Sequence, residues 1–410
     1  MSKSNQQNFW KNFAKNSWEK KPFLAKKFDS PLCDIKAEHI FDMLVEYGDH
    51  CRKIEKADGF KLYIGGQIQN EDDVLQLLPE KNDTSLLGYN KRMEEMFEDY
   101  CLVCDELLQV SQKHIKKLHA FSDPLFSQVG FPNRFAEIGL YLGNYRQTPF
   151  GVHVDGCGVF SFPVIGQKTF RLWKAEFAAK NPSLDRAHEY SKFKKNSKTM
   201  IATVGDMTYW PSSAWHIAES DGSFSATWSL GVWVDRTHLQ NLTTALDPLL
   251  KAKLGVLGEQ TVSSRTSASE LPSNYVESIS ILNNISESEW HDALLKSWLE
   301  LSSKHGFKNF PHKKSQAKIT AKARIELNSC SELLWAPLKS SSQMFYAFQG
   351  HVVKAAKSAS LLNLIKALNA GKTCLIEDYL KKPTDLKSLL ALANAGAFRL
   401  VSPLADRRRT

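Results

Sequence analysis

GVHVDGCGVFSFPVIG, residues 151–166, decides how the rest of the chain is read. Its second half is a short apolar run closed by Pro163 and Gly166, the make-up of a buried strand that ends in a turn. Its first half sets His153 and Asp155 two residues apart between valines. On a strand such residues point the same way, about 6–7 Å apart. The stretch therefore predicts a strand that turns an imidazole and a carboxylate to one face and Val152 and Val154 to the other.

Runs of the same character fill the chain from Arg134 to Asp235: FAEIGLYLG, KTFRLWK, TMIATVG, DMTYWP and SFSATWSLGVWVD, separated by Gly, Pro and Asn turns. That pattern predicts an antiparallel sandwich or barrel. Upstream, Phe9, Trp10, Phe13 and Trp18 recur at roughly helical spacing up to Pro22, which predicts a short helix followed by an extended arm. Apolar residues from Met93 to Leu118 fall at steps of three and four, so one long amphipathic helix is expected over residues 91–120, with Cys101 and Cys104 packed inside it.

Downstream, residues 259–274 are rich in Ser and Thr and read as a linker. A helix is expected after Ser286, with Glu289 completing a capping box. Residues 360–404 read as helix, short segment, helix and strand, each helix closing at a glycine. That is the order of a winged helix. Its second helix, DLKSLLALANAG, offers one lysine and one asparagine toward base edges, so a packing or assembly module is expected rather than a DNA reader.

The chain has 410 residues, enough for two or three domains. Its 53 Lys+Arg exceed 44 Asp+Glu to give +9, which favours acidic partners such as RNA, ribosomes or acidic peptides without specifying one; solvated basic faces on a soluble protein account for it more simply. Seven scattered cysteines suit a reducing compartment. The N-terminal stretch has no apolar signal core, and no run of about 18 apolar residues occurs. A soluble, cytoplasmic protein with no membrane partner is expected.

His153 and Asp155 on one face can share a small ion if a third ligand joins them. His216, in DMTYWPSSAWHIAES, lies in the same β-rich region just ahead of another strand. Two histidines and a carboxylate make the facial triad suited to ferrous iron that must also bind a cosubstrate and dioxygen. A dicarboxylate cosubstrate needs a buried base for its far carboxylate. Lys168, in IGQKTFRLW, fits that role and fits a solvated hairpin lysine equally, since Gly166 and Gln167 look like a turn.

The order VHVD, GQKTFRLW, GDMTYWPSSAWH, SATWSLGVW resembles the jumonji-C branch of the iron(II)- and 2-oxoglutarate-dependent oxygenases. The opening FWKNFAKNSWEKKPFLAKKF and the tail resemble more specifically the ribosomal oxygenase group, whose members hydroxylate ribosomal proteins. This resemblance implies an α+β chain with a double-stranded β-helix (cupin or jelly-roll) core, flanking helices, a helical assembly region and a winged-helix-like C-terminal domain. It implies His153, Asp155 and His216 as catalytic Fe(II) ligands and Lys168 as the salt-bridge partner of 2-oxoglutarate. Tyr141, Thr227 and Ser229 are then further candidates to hydrogen-bond that cosubstrate. Phe150 ahead of the first ligand and GVWVDR at the end of the core differ from the usual pattern of the group.

The expected partition is 1–130 for supporting arm and helices, 131–258 for the metal-binding β core, 259–330 for linker and helices, and 331–410 for the winged-helix-like part. The expected activity is hydroxylation of a protein or peptide side chain, with a ribosomal protein as the group's precedent and succinate and carbon dioxide as co-products. A homodimer through residues near 286–306 is implied by the same resemblance. Two further readings stand beside it: a tailoring hydroxylase of a specialised peptide or small metabolite, and a ribosome- or nucleic-acid-binding protein with an inactive barrel.

Overall fold

The computed structural model describes residues 3–105, 107, 111–255, 269–308, 319–328 and 331–401. Most of the expected linker over 259–274, Cys330 and the end of the last expected strand lie outside these. The chain divides into two compact units, Met1–Asp235 with Gly306–Pro311, and Arg236–His305 with His312–Thr410. No helix among the described residues is long and apolar enough to cross a membrane. The six described cysteines are free thiols.

The first unit contains strands β1 (Phe23–Ala25), β2 (Phe60–Ile64), β3 (Gln67–Ile68), β4 (Tyr100–Cys104), β5 (Phe135–Gly143), β6 (Cys157–Ile165), β7 (Gln167–Trp173), β8 (Lys198–Thr203), β9 (Met207–Trp210), β10 (Trp215–Glu219) and β11 (Ser225–Trp233). Its helices are α1 (Lys3–Asn16), α2 (Ala37–Ile54), α3 (Glu71–Leu77), α4 (Leu86–Glu94), α5 (Gln112–Val129) and α6 (Ala175–Lys180). Eight strands form one sheet in the order β1-β9-β6-β11-β5-β4-β2-β3, and three form a second, β10-β7-β8; all pairings are antiparallel.

Strand periodicity explains how the large sheet serves two purposes. In β5, Ala136, Ile138, Leu140 and Leu142 join the helix-covered core, as do Ala226, Trp228, Leu230 and Val232 of β11. The alternate residues, Glu137, Gly139 and Tyr141 of β5 and Thr227, Ser229, Gly231 and Trp233 of β11, line a cavity on the opposite face. Helices α1 and α5 cover the first face, where Trp10 meets Phe121 edge-on at 5.1 Å and Phe13 meets Tyr209 at 4.8 Å.

Two expectations need correction here. The helix expected over 91–120 is three elements: α4 ends at Glu94, Cys101 and Cys104 belong to β4, and α5 starts at Gln112. All five residues of β4 are buried, because it is paired on both sides and covered on both faces. A strand so placed shows no alternation, and its apolar run falls into a helical period by accident. Likewise α1 stops at Asn16, well before Pro22. Trp18 turns onto Phe160 and Tyr209, while the Glu19 carboxylate accepts hydrogen bonds from the Tyr209 and Ser212 hydroxyls. The arm that follows adds β1 to the sheet edge through β9.

The second unit opens with α7 (His238–Leu254), α8 (Ser273–Asn283) and α9 (Glu287–Ser302). The Ser286 hydroxyl accepts from the Glu289 backbone N–H at 3.3 Å and the Glu289 carboxylate accepts from the Ser286 N–H at 3.0 Å, the capping box expected from the sequence. Then come β12 (Arg324–Leu327), β13 (Leu334–Pro337), β14 (Gln343–Phe348), β15 (His351–Ala356), α10 (Ala359–Asn369), β16 (Cys374–Leu375), α11 (Ile376–Tyr379), α12 (Pro383–Asn394) and β17 (Phe398–Leu400). They build two three-stranded sheets, β16-β12-β17 and β13-β14-β15. The second of these was not anticipated.

Candidate metal centre

Two of the three proposed ligands, His153 and Asp155, sit on an irregular segment rather than on a strand, and the third, His216, is on β10. Residues 151–156 have no ladder; His153 pairs with His216 of β10 as an isolated antiparallel bridge, and β6 begins only at Cys157. The two backbones exchange hydrogen bonds, His153 N–H to the His216 carbonyl at 3.0 Å and His216 N–H to the His153 carbonyl at 2.7 Å. Val152 is buried as expected, but Val154 is exposed, so the two valines do not form a common packing face. One bridge thus sets the two histidines side by side, with ring centroids 4.3 Å apart.

Ligand atoms of His153, Asp155 and His216 all lie within 4.8 Å of one another, and among the described residues this is the one such cluster. His153 Nε2 is 3.8 Å from Asp155 Oδ1, and His216 Nε2 is 3.5 Å from Asp155 Oδ2. The opposite nitrogens are fixed by the backbone: Nδ1 of His153 lies 3.0 Å from the Gly151 carbonyl and Nδ1 of His216 lies 3.1 Å from the Ala214 carbonyl. A carbonyl only accepts, so each Nδ1 carries the proton and each Nε2 presents its lone pair toward Asp155. Gly151 has φ +70°, and a Cβ there would lie 2.6 Å from the Arg186 carbonyl oxygen, so the orienting carbonyl depends on glycine. Burial, and then the neighbouring His153, push the His216 imidazole below its ordinary range, with Asp155 acting in the opposite sense. Both effects of burial and of the paired ring favour the neutral, metal-competent form.

The cavity that contains these ligands has a volume of about 130 Å³ and lies between the two sheets. Lys168, Tyr141, Thr227 and Ser229 line it with the three ligands, so all seven sequence-identified residues converge. Lys168 is not a solvated hairpin lysine. Gly166, at φ +72°, makes the turn, and the next strand carries Lys168 inward beside Phe170, leaving it 1% exposed. Its Nζ sits 3.8 Å from the centroid of the Tyr145 ring and makes no hydrogen bond.

Burial lowers the Lys168 pKa to about 7, and the groups that favour its charge, Cys101 and Asp221, compensate little. Burial pushes the Cys101 thiol up to about 12, so it stays neutral, while Asp221 is exposed and bonded to Ser223. A buried ammonium without an acceptor costs free energy unless an anion comes to meet it. The Thr227 hydroxyl, also buried and without a partner, faces the same space. These orphaned donors fit a carboxylate-bearing ligand, and the triad fits a divalent metal.

Of the two tryptophans near His216 that the sequence offers as apolar walls of the site, Trp210 lines the cavity and Trp215 does not, while Tyr145, Phe170, Asp105 and Glu137 are wall residues the sequence did not single out. Tyr145 supports Lys168, and Phe150 meets His153 edge-on at 5.6 Å. Trp210 stands 4.9 Å from the His216 ring and walls the cavity with Phe170. Trp215, the other tryptophan flanking this ligand, points the opposite way from His216 on β10 and packs with Val152, Trp173 and Ile217. Asp105 and Glu137 add carboxylates to the lining. Nothing in the local sequence marks them, because each reaches the cavity from an element distant in the chain.

Residues 111–242 match the JmjC domain family, a stretch that contains the paired sheets' β5 to β11 and the His153, Asp155 and His216 cluster. The mixed helix-and-sheet chain has a JmjC/cupin-like fold and is similar to solved ribosomal oxygenases. The structure of YcfD, a ribosomal oxygenase from Escherichia coli, in complex with cobalt and 2-oxoglutarate aligns with TM-score 0.53 at 14% identity, covering 96% of this chain and 98% of that one. An X-ray structure of E. coli YcfD aligns at 0.51 and 13%, and the complex with cobalt and succinic acid at 0.51 and 14%, with the same coverage. No curated protein matches the chain by sequence.

Proposed function

We propose that this chain is an iron(II)- and 2-oxoglutarate-dependent oxygenase that hydroxylates a side chain of a protein or peptide. The observation that carries the reading is the buried Lys168 amino group, without a hydrogen-bond partner, in the same cavity as the three convergent groups. A barrel that only bound a partner would have no use for that costly arrangement. His153, Asp155 and His216 hold the metal through two imidazole nitrogens and one carboxylate. Lys168 neutralises the far carboxylate of 2-oxoglutarate, and Thr227, Tyr141 and Ser229 offer hydroxyls to the same molecule. Phe150, Phe170 and Trp210 exclude water around the reacting centre. When bound there, ferrous iron would couple 2-oxoglutarate decarboxylation by dioxygen to C–H hydroxylation, leaving succinate and carbon dioxide.

The similarity to a protein described as a ribosomal oxygenase makes a ribosomal protein the first substrate to test, in the cytoplasm. Intact-mass comparison of ribosomal proteins from cells with and without the gene is expected to show one protein gaining a single oxygen. Unchanged masses throughout would remove the ribosomal assignment, and succinate formation with a small metabolite instead would favour a tailoring role.

Homodimerisation is part of the same proposal. Neither α7 nor α8 buries a single residue, and Tyr275, Val276 and Ile279 of α8 are exposed, as is Trp298 of α9. Such an apolar surface is the kind that a second copy covers. Light scattering is expected to give twice the 46.3 kDa chain mass, and Ile279→Glu with Trp298→Glu to give the monomer. A monomeric wild-type protein would overturn this. The helices and strands from α10 to β17 are proposed to be a winged-helix-like packing module.

A further inference from the structure

The net charge of this protein has an address. Residues 11–28 and 191–198 carry six and four lysines, against the single acid Glu19. Ten positive charges less one give a surplus of nine, equal to the formal charge of the whole chain, so all remaining residues together sum to zero.

The two segments are distant in sequence and adjacent in the fold. Strand β1 lies within the first and pairs with β9, Lys26 Nζ donates to the Ile201 carbonyl at 2.9 Å, and Lys198 Nζ donates to the Pro22 carbonyl at 3.3 Å. All ten lysines are exposed. Nearby acids are largely occupied: Glu19 accepts from Tyr209 and Ser212, Asp206 from Lys26 and Thr203, and Glu219 from Arg171 and Tyr190. Among the described residues, only Lys26 and Lys194 of the ten have carboxylates within ion-pair reach. The other eight charges face solvent or backbone carbonyls, which do not neutralise them.

We propose that this lysine surface, on the unit that holds the metal site, is a docking face for the phosphate backbone of RNA. Neither segment contains an arginine, so the surface lacks the planar forks that recognise one carboxylate or one phosphate bidentately. Lysines on mobile stems suit a repeating polyanion, whose binding is driven by counterion release and needs little geometric match. The face also borders the catalytic centre, because Glu19 anchors the lysine-rich arm to Ser212, in the turn that leads to His216. An RNA held there brings a protein bound to it beside the cavity.

The test is fluorescence anisotropy with a labelled single-stranded RNA of about 20 nucleotides, across a salt series. A site that neutralises about four phosphates is expected to lose ~50-fold in affinity between 50 and 200 mM salt. The variant Lys21→Glu, Lys192→Glu, Lys195→Glu, Lys198→Glu is expected to bind more than about tenfold more weakly with a shallower salt slope. A matched variant on the other unit, Lys354→Glu, Lys357→Glu, Lys366→Glu, Lys372→Glu, makes the same charge change and should bind like wild type. Uncoupled 2-oxoglutarate turnover should be unchanged in both, which shows that they are folded and separates this proposal from the oxygenase reading. Equal weakening by the two variants, salt-independent binding, or capture of phosphatidylserine vesicles in place of RNA would each overturn it.

Discussion

His216→Ala is expected to abolish succinate formation from 2-oxoglutarate, with a loss of more than about 100-fold. Removal of groups that merely orient metal ligands already costs about 10–100-fold, and loss of a ligand should exceed that. The variant keeps the backbone exchange with His153, since both hydrogen bonds use main-chain atoms. The fold around the site should therefore survive. Cobalt titration followed by absorbance supplies a readout independent of turnover, and His153→Ala should behave alike. Wild-type succinate from either variant would remove the triad assignment.

Lys168→Met is expected to change stability and cosubstrate binding in opposite directions. Methionine retains much of the volume and removes an unpartnered buried ammonium, so the apo protein should gain about 1–3 kcal/mol. The same change should weaken 2-oxoglutarate binding by about 2–5 kcal/mol, or ~30-fold to several thousandfold, because a buried charge pair would lose one partner. Thermal denaturation and calorimetric titration read the two effects separately. A destabilised variant with unaltered cosubstrate affinity would mean that Lys168 is a structural residue.

The pH dependence of Lys168 carries its own signs. Its folded pKa, about 7, lies below the ordinary lysine value of 10.5. Between those values the unfolded chain binds more protons, so this residue's contribution to stability rises with pH. The advantage of Lys168→Met should accordingly be greatest below pH 7 and fade toward 10.5. Cosubstrate binding runs the other way. Above pH 7 the free protein must take up a proton to meet the carboxylate, and wild-type affinity should fall by up to about tenfold per pH unit. The Met variant should show no such fall.

The candidate site was legible in the sequence because it depends on residue types and their order. His153-X-Asp155, Lys168 just past a glycine turn, and His216 in the same β-rich region are local patterns, and the structure draws all of them into one cavity, with His216 inside β10 rather than ahead of it. The alternation in β5 and β11 was equally readable, since each of those strands separates a greasy core from a polar site. Where both faces of an element are buried, the signal vanishes. That is why β4 read as part of a helix: YCLVC is apolar throughout.

Other features belong to the tertiary structure alone. Lys168 reads as a hairpin lysine until β7 is placed between β8 and β10 with its cavity face covered by Tyr145. The imidazoles of His153 and His216 are aligned by one long-range backbone bridge, and their tautomers by the Gly151 and Ala214 carbonyls. The lysine surface likewise exists only because β1 brings residues 11–28 against the β8–β9 region. By itself the sequence determined which groups could hold a metal and a dicarboxylate, since those are properties of side chains. Burial, orientation and the meeting of distant charges were decided by the fold, because they depend on what packs around each side chain.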